Sequence, residues 1–308
     1  DIILSCQGSL YTEKVYPKLK DVGWEGHWID AASVLRMNDD SIIVLDPINS
    51  NEIDKAYDNG MKTWVGGNCT VSLMLLAIHG LIKENVIDWV SAMTYQAASG
   101  AGAQNMRELI IQMGELNYSV KNELLDSQSD ILAIDKKILT TMNSDSFSIK
   151  NFTVPLAGNL IPWIDQDMSE GLSKEEWKGN VESRKIIGSL YEPIKVDGLC
   201  VRVGAMRSHS QALTIKLKKN LNIKKVCDLI ESGNQWVRLV PNLRDDSIQN
   251  LSPASVSGKL DNAIGRIRNL NFDDNIISAF TVGDQLLWGA AEPLRRILRI
   301  LINKAQSS

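Results

Sequence analysis

The first 93 residues alternate short β-rich runs with helical runs, and this pattern constrains the fold more than any other feature. Parallel strands need a crossover connection, usually a helix, so the alternation predicts a parallel sheet covered by helices. The predicted strands are 2–5, 26–30, 42–45 and 63–65. Helices are predicted over 13–20, over 51–60 and from Cys69 onward. The fold class is therefore α/β, and this region resembles the later part of a doubly wound, Rossmann-type domain.

The middle of the chain contains longer predicted elements. A strand over 86–94 leads into predicted helices over 104–125 and 131–142. Further on, Ser173 and Glu176 have the spacing of a capping box, which predicts a helix that runs to about residue 185.

The last third of the chain favours a partly exposed sheet. Apolar and polar residues alternate over 196–217, with breaks at Gly204 and near Ser208, and this is typical of half-buried strands. A helix is predicted over 283–301, interrupted at Pro293. At 308 residues the chain is long enough for about two domains of ~150 residues each, and no flexible linker separates them.

Composition excludes several classes of function. Lys and Arg number 33 against 37 Asp and Glu, so the net charge of −4 gives no general attraction to nucleic acid or an acidic membrane. The four cysteines are widely spaced and only three histidines occur, which argues against a metal site or a disulfide framework. The most apolar run, 71–78, is far shorter than the ~20 residues that span a bilayer. We therefore predict reduced thiols, a cytoplasmic location, no metal, and neither nucleic acid nor membrane as a partner.

The segment Val65-Gly66-Gly67-Asn68-Cys69 contains the candidate nucleophile. A predicted strand ends in two glycines, and the cysteine stands in the first turn of an apolar helix. Backbone N–H groups and the helix dipole favour a thiolate there and could also hold an oxyanion. A buried structural cysteine remains the alternative from these residues alone. That structural role is the one we assign to Cys6, Cys200 and Cys227.

A nucleophilic thiol needs a base, and the histidines are the candidates of suitable pKa. His79 lies ten residues after Cys69 on the same predicted helix. That spacing corresponds to ~15 Å, which is too far. His27 falls in a predicted strand, where a packed side chain is the simpler interpretation. His209 follows a predicted strand in a loop, the setting where catalytic groups concentrate.

Two further pairs of residues could belong to a functional site, depending on how the chain folds around them. Arg202 and His209 are seven residues apart, so they share a face only if the chain bends near Gly204 and Ser208. Glu175 and Lys178 are three residues apart on the predicted capped helix and therefore share a face. The alternative is an ion pair on the protein surface, which would have no functional role and would contribute little to stability.

Taken together, five segments resemble the aspartate-β-semialdehyde dehydrogenases of Gram-negative bacteria. They are GGNCTVSLM at 66–74, TYQAASGAG at 94–102, EEWK at 175–178, RVGAMRSHSQ at 202–211 and GDQLLWGAAEPLRR at 283–296. The similarity runs from Asp1 to Arg296. It implies the NADP-dependent reduction of L-aspartyl-4-phosphate to L-aspartate-4-semialdehyde with release of phosphate. This reaction is the branch point of lysine (through diaminopimelate), threonine and methionine biosynthesis.

The resemblance also implies roles for individual residues. The implied catalytic residues are Cys69 as the nucleophile that forms a thioester, His209 as acid/base and Gln96 as a positioning group. The implied phosphate ligands are Arg36, Asn68 and Lys178; Arg202 would bind the substrate carboxylate and Glu175 its ammonium group. The residues that would border NADP are Gln7, Ser99, Gly100 and Gln285.

One departure from the family pattern concerns the cofactor. The family's G-x-x-G-x-x-G loop is not found in the sequence, so we expect a truncated Rossmann-type domain that lacks about two βα units, ~60 residues. The expected domains are 1–68, the remainder of the NADP-binding domain with helix 284–308 packed back on it, and 69–283, an α+β catalytic and dimerisation domain with a mixed sheet. A homodimer is implied.

Two alternatives remain open from the sequence. The first is a non-catalytic remnant of the family that keeps the dimerisation part. The second is a related reductase of an acetylated glutamyl phosphate, which Glu175 disfavours because an N-acetyl substrate offers no ammonium group.

Overall fold

The computed structural model describes residues 1–307, which form two β-sheets with helices packed around them. The strands are β1 Ile2–Ser5, β2 His27–Asp30, β3 Ser41–Val44, β4 Thr63–Gly66, β5 Ile87–Gln96, β6 Leu160–Ile161, β7 Lys195–Val203, β8 His209–Leu217, β9 Val237–Leu239, β10 Asn262–Leu270 and β11 Asp273–Gly283. The helices are α1 Ser9–Asp21, α2 Asp46–Asp58, α3 Cys69–Lys83, α4 Ala103–Ser119, α5 Lys121–Leu125, α6 Ile131–Met142, α7 Lys174–Ile187, α8 Ile223–Glu231, α9 Arg244–Asn250, α10 Pro253–Val256 and α11 Glu292–Ser307. Short turns of 3₁₀ and π helix occupy Ala98–Ala101 and Leu287–Ala291.

The first sheet is parallel and has the strand order β1-β2-β4-β3. All of its strands were predicted, to within one residue at either end. Ile29, Val44 and Trp64 form an apolar cluster on it with Leu294 and Ile297 of α11. The C-terminal helix therefore packs on this sheet, and the α/β class is confirmed. The exact domain boundary at residue 68 stays a prediction.

The second sheet is mixed and has the order β6-β7-β5-β8-β11-β10-β9. β5 runs parallel to β7 and antiparallel to β8, and so it separates the two strands that flank the break at residues 204–208. Helix α3 packs on this sheet. Most side chains of α3 are apolar, and residues 70–82 of the helix are all buried. Its first residue, Cys69, lies against His209, the first residue of β8.

Two predicted helices differ from the structure. The helix predicted over 104–125 breaks at Val120 into α4 and α5. The helix predicted over 283–301 is wrong at its start, because Gly283 ends β11 and α11 begins at Glu292. A π-helical turn over Leu287–Ala291 precedes α11, so the helical path changes next to Pro293, where the interruption was predicted. Pro293 lies in the first turn of α11, where a residue has no intrahelical N–H bond to lose.

The predicted capping box is confirmed at the start of α7, where the Ser173 hydroxyl accepts from Glu176 N–H and the Glu176 carboxylate accepts from Ser173 N–H. Among the helices of residues 1–307, none combines the length and apolar character needed to cross a membrane.

Candidate active site

Cys69 occupies the first position of α3, at the end of a sharp connection from β4. The Asn68 side chain caps the helix by accepting from the backbone N–H groups of Thr70 and Val71 at 3.0 and 3.1 Å. The backbone of Gly289 approaches so closely that a Cβ there would lie 2.6 Å from Cys69 Cβ. The strand end, the cap and this glycine together fix where the thiol points.

His209 is the partner of Cys69. Its Nε2 lies 3.2 Å from Cys69 Sγ, while its Nδ1 accepts the backbone N–H of Ala97 at 3.0 Å. The neutral imidazole therefore carries its proton on Nε2 and directs it at the sulfur. The prediction that His209 lies in a loop is wrong, because His209 is the first residue of β8. Its side chain is completely buried.

The bend that the sequence required precedes His209. Ser208 has a φ of 76°, in the left-handed region that non-glycine residues seldom adopt, and its hydroxyl bonds that of Ser257 at 2.7 Å. This turn brings Arg202 and His209 to one site: a Cβ at Gly100 would lie 2.9 Å from Arg202 Nη1 and 3.0 Å from His209 Cε1.

Burial controls the protonation of the Cys69–His209 pair. It raises the pKa of the Cys69 thiol to about 12, and the negative charge of Glu175 adds to this effect. Burial also lowers the pKa of His209 to about 3, with a further contribution from Arg202. The prediction that the helix start lowers the thiol pKa is wrong for the free protein, because desolvation exceeds the contribution of the helix N-terminus.

On the opposite wall of the site, two side chains of α7 form an ionic network with Asp165 from the preceding loop. Lys178 Nζ donates to Glu175 Oε2 at 3.1 Å and to Asp165 Oδ2 at 2.6 Å. Glu175 Oε1 accepts from the side-chain amides of Asn68 and Gln96 at 2.8 and 3.2 Å. Burial alone would raise the Glu175 pKa, but Lys178 and these amides hold it below its usual value. The pair Glu175/Lys178 is therefore buried and not a surface ion pair.

Two arginines complete the charged groups. Arg36 donates through Nε to Gly66 O at 2.7 Å, through Nη2 to Gly67 O at 3.1 Å, and pairs with Glu182 at 3.0 Å. Arg202 donates to Ala97 O at 2.8 Å. Both guanidinium groups are buried, and their hydrogen bonds hold them in place.

These residues surround a cavity of about 440 Å³. The predicted site residues that line it are Arg36, Asn68, Cys69, Gln96, Gly100, Glu175, Lys178, Arg202 and Gln285. His209 lies directly behind Cys69, and Ser99 is buried beside Gly100, whereas Gln7 is exposed after β1 and does not line the cavity. Three cations, Arg36, Lys178 and Arg202, line the cavity together with two carboxylates, Asp165 and Glu175. Their N–H donors suit the anionic groups of a ligand.

Comparison with known proteins identifies the family. The model of the semialdehyde dehydrogenase dimerisation domain matches residues 78–288, and that of the semialdehyde dehydrogenase NAD binding domain matches residues 1–56. The solved structure of aspartate semialdehyde dehydrogenase from Francisella tularensis is 48% identical, with a TM-score of 0.93, over 98% of this chain and 81% of that chain. The chain belongs to the aspartate semialdehyde dehydrogenase family. Its members are oxidoreductases.

Two further structures extend the comparison. Aspartate semialdehyde dehydrogenase II from Vibrio cholerae, solved in complex with ASA, is 25% identical with a TM-score of 0.76, over 98% of this chain and 79% of that one. The enzyme from Candida albicans, solved with NADP, shares the fold at 16% identity and a TM-score of 0.62, over 98% of this chain and 77% of that one.

Part of the cavity suits the nicotinamide end of a cofactor. Ser99 Oγ and Gln285 Oε1 are buried and have no hydrogen-bond partner among residues 1–307. A carboxamide offers both N–H donors and a carbonyl acceptor, so the nicotinamide amide could satisfy the two oxygens. Gly100 lies beside Ser99 and lines the cavity. Within residues 1–307, no group of three or more His, Cys, Asp or Glu side chains is arranged to hold a metal ion.

The sequence interpretation missed three contributors to this candidate site. Glu182 lies four residues after Lys178, so the helical spacing of the predicted α7 could have revealed it. Asp165 comes from an irregular loop, and the Ala97 N–H group is backbone, so neither leaves a signal in the sequence.

Proposed function

We propose that the chain catalyses the NADP-dependent reductive dephosphorylation of L-aspartyl-4-phosphate to L-aspartate-4-semialdehyde through a thioester on Cys69. The observation that carries this proposal is the Cys69 Sγ to His209 Nε2 contact of 3.2 Å beside a cavity lined by three cationic side chains. A thiol in that position suits acyl transfer, and the cations suit a phosphorylated amino acid.

Three sets of side chains would bind the substrate. Arg202 binds the α-carboxylate as a two-pronged donor, and Glu175 accepts from the α-ammonium group. The phosphate is bound by Arg36, Asn68 and Lys178. Because Lys178 already bonds Asp165 and Glu175, the phosphate replaces or shares the Asp165 contact when it binds.

In the first half-reaction, the Cys69 thiol gives up its proton to the phosphate group of the substrate, and the sulfur attacks the acyl phosphate carbonyl. A C–S bond forms, the C–O bond to phosphate breaks, and inorganic phosphate leaves with the electron pair. His209 is a hydrogen-bond donor in this step. Its Nε2–H is directed at the sulfur and at the oxyanion that forms next to it. Gln96 holds Glu175 and so keeps the reacting carbonyl in place.

In the second half-reaction, the resulting thioester is reduced and Cys69 is expelled as a thiolate. The chemistry that NADPH supplies when bound is hydride donation to the thioester carbonyl. Ser99, Gly100 and Gln285 would hold its nicotinamide, and the Nε2–H of His209 stabilises the oxygen of the hemithioacetal. The expelled Cys69 thiolate then takes up a proton from solvent, which restores the neutral thiol of the free protein.

We also propose that the chain forms a homodimer. Met93 and Tyr95 on β5 and Leu199 on β7 are exposed, and Met93 and Leu199 are register partners on one face of the mixed sheet. An exposed apolar face on a domain that matches a dimerisation model supports a second copy as its partner. The free cysteines are the basis for proposing the cytoplasm as its location, and the product would enter lysine, threonine and methionine biosynthesis.

Steady-state assays test the proposed substrate. We expect NADPH oxidation with aspartyl phosphate and phosphate-dependent NADP reduction with aspartate semialdehyde, and no turnover with an N-acetylglutamyl phosphate. Turnover of the acetylated substrate alone would contradict the assignment of Glu175. A folded dimer that is inactive in both directions would instead favour the non-catalytic remnant.

A further inference from the structure

Glu182 is a buried carboxylate that has no role in the proposed chemistry, yet it contacts two parts of the site at once. Its Oε1 accepts from Arg36 Nη1 at 3.0 Å, and its Oε2 accepts from the backbone N–H of Asn68 at 2.7 Å. The side chain is 2% exposed. It lies on the same face of α7 as Glu175 and Lys178, at spacings of seven and four residues.

The contact with Arg36 determines how that guanidinium is held. Arg36 has five N–H donors, and three of them are committed to Glu182 and to the carbonyl groups of Gly66 and Gly67. A planar fork that is fixed on these sides can rotate little, and it keeps two donors for a ligand in the cavity that Arg36 lines.

The contact with Asn68 determines where the nucleophile begins. Asn68 caps α3 with its side chain, and its own backbone N–H is held by Glu182. Cys69 is the next residue. One carboxylate therefore links an arginine of the cavity to the turn that presents the thiol.

We propose that Glu182 is a positioning residue that sets Arg36 and the Asn68–Cys69 turn at a fixed separation, so that a phosphate group is bound beside the sulfur. The inference rests on the proposed function and deepens it, because it specifies how the phosphate end of the site is organised.

A carboxylate is needed in this role because both of its neighbours are donors. Glu182→Gln keeps the volume but replaces one acceptor oxygen by an NH₂ group, which would face an N–H of Arg36 or of Asn68. The variant also removes the negative charge that pairs with the buried guanidinium. Either change loosens Arg36.

Calorimetric titration with inorganic phosphate tests the proposal without relying on turnover. We expect Glu182→Gln to weaken the phosphate Kd about tenfold. In turnover assays the KM for phosphate should rise by a similar factor while the KM for aspartate semialdehyde stays within about twofold. Should Glu182→Gln fail to fold, Glu182→Asp keeps the charge with a shorter reach and is expected to weaken phosphate binding in the same direction.

Glu176→Gln is the matched control. Glu176 is also a buried carboxylate on α7, and it also accepts two N–H groups, those of Ser173 and Cys200. Loss of that carboxylate should lower Tm but leave the phosphate Kd unchanged.

A double-variant cycle tests whether Glu182 acts through Arg36. In an Arg36→Met background, Glu182→Gln should weaken phosphate binding by less than it does in the parent, because only its contact with Asn68 is then left to lose.

The proposal is overturned if Glu182→Gln binds phosphate as the parent does, if Glu176→Gln weakens phosphate binding equally, or if the parent binds no phosphate. A chain that binds phosphate in the expected order but does not turn over would contradict the proposed function alone. A chain that turns over, with a phosphate Kd unaffected by Glu182→Gln, would contradict only this inference.

Discussion

The two ends of the cavity differ in whether their titratable side chains are charged: the Cys69–His209 end is neutral, and the Glu175–Lys178 end is ionised. At the thiol end, burial raises the pKa of Cys69 to about 12 and lowers that of His209 to about 3, so both groups are neutral near pH 7. At the other end, burial also opposes charge, but Glu175 and Lys178 offset it for each other, so the pKa of Glu175 is lowered and that of Lys178 is raised.

The difference shows what burial requires of a charged group. A buried charge persists where an opposite charge lies within hydrogen-bond distance, as it does for Lys178 between Glu175 and Asp165. The sulfur has no such partner, because the imidazole beside it is itself neutral. The ionic end is therefore preformed, whereas the thiol end becomes reactive only when the sulfur loses its proton.

The largest effect is expected from Cys69→Ser. A hydroxyl in this neutral environment is a far poorer nucleophile than a thiolate, so activity should fall by at least ~10⁴-fold while the fold is retained. The measurement is kcat/KM for aspartyl phosphate, with circular dichroism as a check on folding. Retention of more than a few per cent of the activity would refute Cys69 as the nucleophile.

Removing the cation from the ionic end should have the next largest effect. Lys178→Met leaves two carboxylates without their shared partner, and the KM for phosphate should rise about 100-fold. Lys185→Met, on the same helix but bonded to Asn38 O, is the control and should leave that KM unchanged. Equal effects of the two variants would show that the charge at Lys178 is not specific to phosphate.

Crowding the thiol end should be costly without any change of charge. Gly289→Ala places a methyl group 2.6 Å from Cys69 Cβ, so kcat/KM should fall roughly 10- to 100-fold. Gly114→Ala, where a Cβ meets nothing within 4 Å, is the control and should have parental activity. Parental activity of Gly289→Ala would mean that the position of the thiol is not tightly fixed.

The pH dependence of alkylation distinguishes the two ends directly. Because the thiolate is the reactive form and the Cys69 pKa is raised to about 12, its alkylation rate should rise about tenfold per pH unit from pH 7 to 10. Iodoacetamide labelling, followed on the peptide that contains Cys69, separates it from the exposed Cys6. A plateau near neutral pH would show that the helix N-terminus, and not burial, controls the thiol.

Local signals in the sequence specified much of this site. The capping box of Ser173 and Glu176 fixed the start of α7, and hence the shared face of Glu175 and Lys178. The glycines before Cys69 marked the strand-to-helix turn correctly. The bend between Arg202 and His209 was required by their odd spacing, and the left-handed Ser208 provides it.

Features that depend on distant parts of the chain could not be predicted. The pKa of Cys69 is set by its burial and by Glu175, more than 100 residues away in sequence. The tautomer of His209 is set by the backbone N–H group of Ala97. Every residue except proline has such a group, so the sequence does not indicate which one contacts His209. The break at Val120 also carries no glycine or proline that would mark it.

Trapping the acyl-enzyme tests the thioester most directly, because it requires the nucleophile and the ionic end but not NADPH. Rapid mixing with aspartyl phosphate, followed by acid quench and mass spectrometry, should show an aspartyl adduct on the Cys69 peptide and an equivalent burst of phosphate. The same experiment with Cys69→Ser should show neither. Phosphate release without an adduct on Cys69, or an adduct on another residue, would contradict the proposed mechanism.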